Sequence, residues 1–376
     1  MSWKVVDRVS IYREEGMYAI SPCLTRTPNG DLLVNFQRSP HLPYAHHKTP
    51  LCNVQACRST DEGKTWGPAQ LLTYDPLGGV MDRSAHTLPD GSVFLYSSCT
   101  ELKPAGDAKA HSRDWHIEFG KPFWVRSRDN GHTWTEPTRF PPIQDAIHGH
   151  PAEHSGISRS GLLAHPDGRL LLPSKATDTT SEFRYFGMLR VSYDMGETWE
   201  YGGRIAEDPV AHFSEPAIHR TPKGRILVLL RCHPGKLGPG IVREQGYTGA
   251  MVEDPWFVNM LLALVYSDDE GATWTPWRPT RIHGSPAHML GLRDGRIFLT
   301  VGTRWEGQRG CVGRVLEPEG SDLETAPEFA ISSESMSIDC GYPWSVELAD
   351  GRVLVVYWRH YEDDLRGIEA AFLAEE

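Results

Sequence analysis

No segment of this 376-residue chain approaches the roughly 18 consecutive apolar residues that a membrane-spanning helix requires. Its start, MSWKVVDRVSIYREEG, lacks the apolar core of an export signal, so a cytoplasmic location is expected. Basic runs are missing too. The chain has 38 Lys and Arg against 49 Asp and Glu, a formal net charge of −11, which argues against nucleic acid or an anionic membrane as partner. Cysteine is sparse and odd in number: the seven, at 23, 52, 57, 99, 232, 311 and 340, are scattered and do not read as a disulfide framework. Buried thiols behaving as small apolar side chains are expected instead. Long stretches of 3.6-residue periodicity are also lacking, which excludes a helical domain.

What the chain does have is repetition. The segment Arg58-Ser-Thr-Asp-Glu-Gly-Lys-Thr-Trp66 returns as RSRDNGHTW ending at Trp134, VSYDMGETW at Trp199 and YSDDEGATW at Trp274. Ser, Asp, Gly, Thr and Trp hold the same spacing in each, as a turn between strands demands. The Ser and Asp side chains bond the turn's own amides, the Gly takes a positive φ and the Trp packs on the next strand. A repeat array follows.

A second repeat gives the count. Hydrophobic segments flank a Gly turn in TPNGDLLVNF, LPDGSVFLYS, HPDGRLLLPS, TPKGRILVLL, LRDGRIFLTV and LADGRVLVVY. Each reads as a β-hairpin. The four boxes interleave with the hairpins, so a unit is a four-stranded antiparallel meander, and six units predict an all-β, six-bladed β-propeller as a single domain over 1–376. Units five and six lack a clear box. There, GCVGRVLEPEGSDLE and the closing IEAAFLAEE are left to supply outer strands. The 12 Trp, 36 Gly and 28 Pro suit many short strands and tight turns.

In such a blade the Gly turns and the boxes share one face, and the longer loops occupy the other, where chemistry is expected. Fourteen of the 17 His are assigned to that face; His132, His165 and His219 are not. The HGHPAEH run, His148 to His154, has no recognised zinc spacing and reads as a loop, so neither metal nor other cofactor is expected.

The four SxDxGxTW boxes resemble the Asp-box of the sialidase superfamily, and the resemblance covers essentially the whole chain. It implies a six-bladed propeller that acts on carbohydrate with a Tyr nucleophile, a Glu that takes the phenol proton, an Asp acid/base and three Arg that grip a carboxylate. DCGYPWSVELADGR resembles the segment carrying the Tyr, which makes Tyr342 the candidate nucleophile. FSEPAIHRTPKGRILVLLR resembles the segment with the Glu and an Arg, which maps to Glu215 and Arg231, and Arg304 falls at a second carboxylate-binding position. A phenol with a pKa near 10 needs such a base, and neighbouring guanidinium groups, to attack at neutral pH.

The chain departs from the pattern in two places. Where an Arg-Ile-Pro motif is expected it reads Met17-Tyr-Ala-Ile-Ser-Pro22, and the loop SPHLPYAHHKTPLCNVQAC holds no carboxylate for the acid. Sialic acid itself is therefore a poor fit. His46 or His47 is the expected proton donor. Arg38, Arg359, His86 and His150 are expected to help bind substrate. The predicted activity is removal of a terminal, acidic sugar from an oligosaccharide. Elimination on a uronate by His, Tyr and Arg, or sugar binding without catalysis, are the alternatives.

Overall fold

The structure, a computed structural model, describes residues 2–41, 51–73, 78–103, 116–119, 122–143, 159–178 and 184–376. The chain opens with β1 (Trp3–Tyr12), then β2 (Met17–Arg26), β3 (Leu32–Pro40), β4 (Asn53–Ser59) and β5 (Gln70–Thr73) form a meander. A second sheet holds β6 (Gly78–Thr87), β7 (Val93–Lys103), β8 (His116–Phe119), β9 (Phe123–Ser127) and β10 (Thr138–Arg139). The third contains β11 (Leu163–Ala164), β12 (Leu170–Asp178), β13 (Arg184–Ser192) and β14 (Glu200–Ala206), and the fourth β15 (His212–Arg220), β16 (Ile226–His233), β17 (Leu261–Ser267) and β18 (Arg278–His283). The fifth is β19 (Ala287–Gly291), β20 (Ile297–Trp305), β21 (Gln308–Leu316) and β22 (Phe329–Ser332). In the last group, β23 (Gly341–Glu347), β24 (Val353–His360) and β25 (Arg366–Glu375) are completed by β1, which lies antiparallel to β25 with Trp3 opposite Glu375. This group meets the β2–β5 meander through one parallel bridge, Tyr18 to Arg366.

The hairpins have one design. In the first, Thr27 N donates to Asp31 O at 2.8 Å and Gly30 N to Thr27 O at 2.9 Å, and the same pair of bonds recurs at Gly91, Gly168, Gly224, Gly295 and Gly351. All six glycines have positive φ, between 78° and 97°, so each closes a turn that an L side chain would strain.

The four boxes are built as their residues dictate. Ser59 Oγ accepts from Gly63 N at 2.9 Å and donates to Asp61 Oδ1 at 2.8 Å, while Asp61 accepts from Thr65 N and Thr65 Oγ1. Bonds from Thr65 hold the Asp61 carboxyl down at about 2, and Asp269 sits at about 2 for the same reason through Thr273. The residue before each box glycine also has positive φ, at Glu62, Asn130, Met195 and Glu270. These acids are turn residues.

Apolar clusters join each sheet to the next. Leu24, Phe36, Trp344 and Trp358 join the last group to the first meander. Val54, Val80 and Leu95 lie between first and second, and Phe94, Leu172 and Trp199 between second and third. Leu189 and Leu230, Leu229 and Leu299, and Phe298 and Tyr357 continue the series. The result is a propeller-like ring of antiparallel sheets in which the last packs on the first. At about 1.5–3 kcal/mol for each large apolar side chain fully buried, these interfaces dominate the stability of the ring. All seven cysteines are buried.

The apolar run Trp256 to Tyr266 divides: Pro255–Val258 is a helical turn and the strand starts at Leu261. Asp254 is the reason, since its carboxylate accepts from Trp256 N and Phe257 N, while Pro255 occupies the first helical position. Helices at Gly238–Glu244 and Ala250–Glu253 precede it, where no local structure was legible. The last group's outermost strand is β1, rather than a segment near the end of the chain. No helix among the described residues is long and apolar enough to cross a membrane.

Candidate active site

The inner strands share an interruption that builds the site. In β15, Ser214 pairs with Arg231 and the register resumes at Ala217 with Leu229, so Glu215-Pro216 bulges opposite one residue. In β23 the same happens at Tyr342-Pro343, between Gly341 and Trp344, and in β2 at Ser21-Pro22, between Ile20 and Cys23. Ser21, Glu215 and Tyr342 all have positive φ, at 53°, 46° and 53°. Each stands nine residues before its hairpin glycine. A bulge re-aims a side chain out of strand alternation, and non-glycine residues held at positive φ store strain of about 1–3 kcal/mol. Proline supplies no donor, so the ladder bond that the bulge breaks is not missed there.

The two side chains thus aimed meet. The Tyr342 hydroxyl donates to Glu215 Oε1. Arg231, which leaves its hairpin opposite Ser214, donates from Nη1 to Glu215 Oε2 at 2.8 Å and lies 3.4 Å from the Tyr342 oxygen. Glu215 is 5% exposed, and that burial raises its pKa, but the Arg231 charge and the bonds from Tyr342 and Arg231 outweigh it and hold the carboxyl at about 2. Glu215 is therefore an anion in contact with a phenol. Burial works against the charge of Arg231, and Glu215 more than offsets it, so the guanidinium stays protonated.

Two more guanidinium groups flank the phenol ring. Arg304, 8% exposed at the end of β20, sits 5.1 Å from the ring centroid of Tyr342 and has no carboxylate partner among the described residues. Its Nη1 points to Met260 Sδ at 4.0 Å. Arg159 lies 5.4 Å from the same centroid. His233 follows Arg231 on β16; burial and the Arg231 charge push its pKa down to about 3, so it is neutral. The first hairpin, which lacks the expected Arg, is met by a neighbour: Arg83 of β6 donates from Nη2 to Ile20 O and Ser21 O.

The other expected residues fall elsewhere. Arg38 bonds Tyr12 at 2.6 Å and Glu14 at 2.9 Å, and Arg359 pairs with Glu334 at 3.2 Å. Among the described residues neither is hydrogen-bonded to Tyr342 or Glu215. Their strands end in carboxylate-rich surroundings, which capture them. His86 lines a cavity of about 250 Å³ on the ring axis, shared with His288 and Trp344, where burial pushes its pKa down to about 4. His46, His47 and His150 lie outside the described residues. Among the described residues no group of three or more His, Cys, Asp or Glu has the geometry to hold a metal ion.

Sequence reasoning missed Arg159. The signal was present, because Arg159 also stands nine residues before a hairpin glycine, Gly168, as Asp82 does before Gly91. At Asp82-Arg83 the register of β6 is interrupted in the same way, between Met81 and Ser84. Five of the six hairpins thus carry Ser21, Asp82, Arg159, Glu215 and Tyr342 at one equivalent position.

A family described as a BNR repeat-like domain matches residues 106–245. A sialidase of Clostridium perfringens is 24% identical over 211 residues, 54% of this chain and 53% of that protein. The chain spans about half or less of the length of the curated relatives it matches. A solved structure of a Dyadobacter fermentans protein of unknown function is 28% identical with a TM-score of 0.87, covering 100% of this chain and 99% of the other. A Penicillium chrysogenum alpha-L-arabinanase complexed with arabinobiose has the same fold at 16% identity and a TM-score of 0.63, covering 98% of each chain. By repeat and by relatives, the chain is similar to BNR-repeat proteins and to sialidases.

Proposed function

We propose that the chain is a six-bladed propeller, counting the last group and the β2–β5 meander as separate blades, and that it is a glycosidase releasing a terminal acidic sugar. The observation that carries this reading is the contact of Tyr342 with Glu215, backed by Arg231. An ionised carboxylate bonded to a phenol takes its proton as the oxygen attacks the anomeric carbon, and Arg231 offsets the charge that moves between them. A glycosyl-tyrosine forms, the leaving sugar takes a proton, and water then cleaves the intermediate with the same groups working in reverse. Arg304, without a carboxylate of its own, suits a bidentate grip on the carboxylate of the substrate. Candidates for the proton donor are the His46–His47 pair and Asp82, which stands nine residues before Gly91 as Glu215 does before Gly224.

Single substitutions test these roles on the intact chain, with aryl and natural glycosides of acidic sugars as probes. Tyr342→Phe and Glu215→Gln are each expected to lower turnover by at least about 10³-fold with far-ultraviolet circular dichroism unchanged. Asp82→Asn, or the double change His46→Gln and His47→Gln, is expected to slow natural substrates more than aryl ones that need no protonation. Near-native activity in both Tyr342→Phe and Glu215→Gln would remove the assignment.

A further inference from the structure

Arg159 is fully buried, yet only one of its guanidinium nitrogens is bonded. Nη2 donates to Pro22 O at 3.1 Å, Tyr342 O at 2.9 Å and Pro343 O at 2.8 Å. These carbonyls belong to the bulges of β2 and β23, so one side chain from the segment leading into β11 ties together two strands. Nε and Nη1 are buried and have no hydrogen-bond partner among the described residues. The guanidinium carbon lies 5.4 Å from the Tyr342 ring centroid and 4.7 Å from that of Trp344. No carboxylate forms an ion pair with it among the described residues.

A buried cation without a counter-ion is costly, and a purely apolar residue would close the axis of the ring more cheaply. Three backbone bonds alone do not require a permanent charge. Two features sit beside that charge: the strained Tyr342-Pro343 peptide unit and the phenol ring. A positive charge near a phenol favours its ionised form, and here the guanidinium carbon stands 5.4 Å from the ring centroid, so it acts on the oxygen across the ring rather than by direct contact.

We propose that Arg159 is a positioning residue for Tyr342: it pins the bulge that aims the phenol at Glu215, and it supplies a buried positive charge that favours the phenolate. The hydroxyl itself is engaged by Glu215 and Arg231, so Arg159 acts on it through the ring and the backbone. The proposal rests on Tyr342 being the reactive group. Burial lowers the pKa of Arg159, while the charge of Glu215 acts against that shift. Ionisation of Tyr342 would therefore strengthen the hold of Arg159 on its proton, as reciprocity between two linked charges requires.

The test needs no substrate, so its failure is distinct from failure of the glycosidase reading. The intact chain is labelled with 3-fluorotyrosine, the resonance of position 342 is assigned with Tyr342→Phe, and its ionisation is followed by fluorine NMR. Arg159→Gln keeps a donor toward the three carbonyls but loses the charge; Arg159→Lys keeps a charge but loses the bridge. The ionisation midpoint of position 342 is expected to rise by about one pH unit or more in Arg159→Gln and by less in Arg159→Lys. An unmoved midpoint in Arg159→Gln, with only a lower melting temperature, would make Arg159 a structural tie and overturn the proposal. If Arg159→Gln does not fold, Arg159→Met, which also removes the charge, is read in its place, and an unmoved midpoint there has the same meaning. Failure of both to fold would also overturn it, since the residue would then serve the ring rather than the phenol.

Discussion

Glu215 carries the chemistry of the site, and it also makes the site sensitive to acid. Its carboxyl is held at about 2 in the folded chain and rises to about 4.3 when the chain unfolds. A depressed folded pKa contributes stability that is fully present above the unfolded value and is lost as pH falls toward the folded one. Thermal unfolding followed across pH is therefore expected to show a melting temperature that drops between about pH 4.5 and pH 2. Glu215→Gln is expected to lose much of that dependence while melting lower at neutral pH, because Arg231 is left buried beside an uncharged partner, at a cost of about 3–5 kcal/mol. An acid limb of the same steepness in both proteins would assign the effect to other carboxylates. At this scale the sequence was partly legible. Tyr342, Glu215, Arg231 and Arg304 could be named because the segments that carry them resemble those of the sialidase superfamily. Arg38 and Arg359 could not be excluded, since only packing reveals that Glu14 and Glu334 capture them.

The bulged inner strand is the element on which the site depends, and it is held as tightly from behind as from the front. Gly302 of β20 presses against the peptide of Tyr342: a Cβ added there would lie 2.7 Å from Ser285 O and 3.2 Å from Tyr342 N. Gly302→Ala is accordingly expected to destabilise the fold by about 1–3 kcal/mol and to reduce turnover more than that loss of folded protein explains, because the bulge must shift. Gly240→Ala is the control. A Cβ there meets nothing within 4 Å in the helix Gly238–Glu244, so it is expected to be neutral or slightly stabilising. Denaturant unfolding and turnover of both variants check this; an unchanged rate in Gly302→Ala would show that the bulge tolerates displacement. The hairpins and boxes were legible in the sequence because turns are local and their residues report directly on backbone geometry. The bulges were less so. Ser21-Pro22, Glu215-Pro216 and Tyr342-Pro343 recur at one offset, but a dipeptide without its partner strand does not disclose a register shift. The short helices over residues 238–258 were illegible because they carry no periodic apolar stripe and form only against Trp305 and Phe257.

Across the whole molecule, closure of the ring explains why residues far apart in sequence converge. β1 pairs with β25, and Trp3 packs edge-on against Phe298 of the neighbouring sheet at 5.1 Å. Arg8 bonds Tyr357 at 2.6 Å and Ile331 O at 2.7 Å, joining the fifth sheet to the last. Only such closure brings Glu215 within reach of a tyrosine 127 residues away in the chain. The repeats made this architecture legible, whereas the strand that completes it could not be named, because β1 resembles no other outer strand. On the proposed function, this ring presents Tyr342 and Glu215 to a sugar for cleavage by water. Mass spectrometry of products formed from sialosides, uronate oligosaccharides and neutral oligosaccharides in heavy-oxygen water tests that function most directly. A released sugar carrying one labelled oxygen, formed by the intact chain and not by Tyr342→Phe, is the predicted result. An unsaturated product formed without uptake of water, or no product from any of the three classes despite saturable binding, would contradict it.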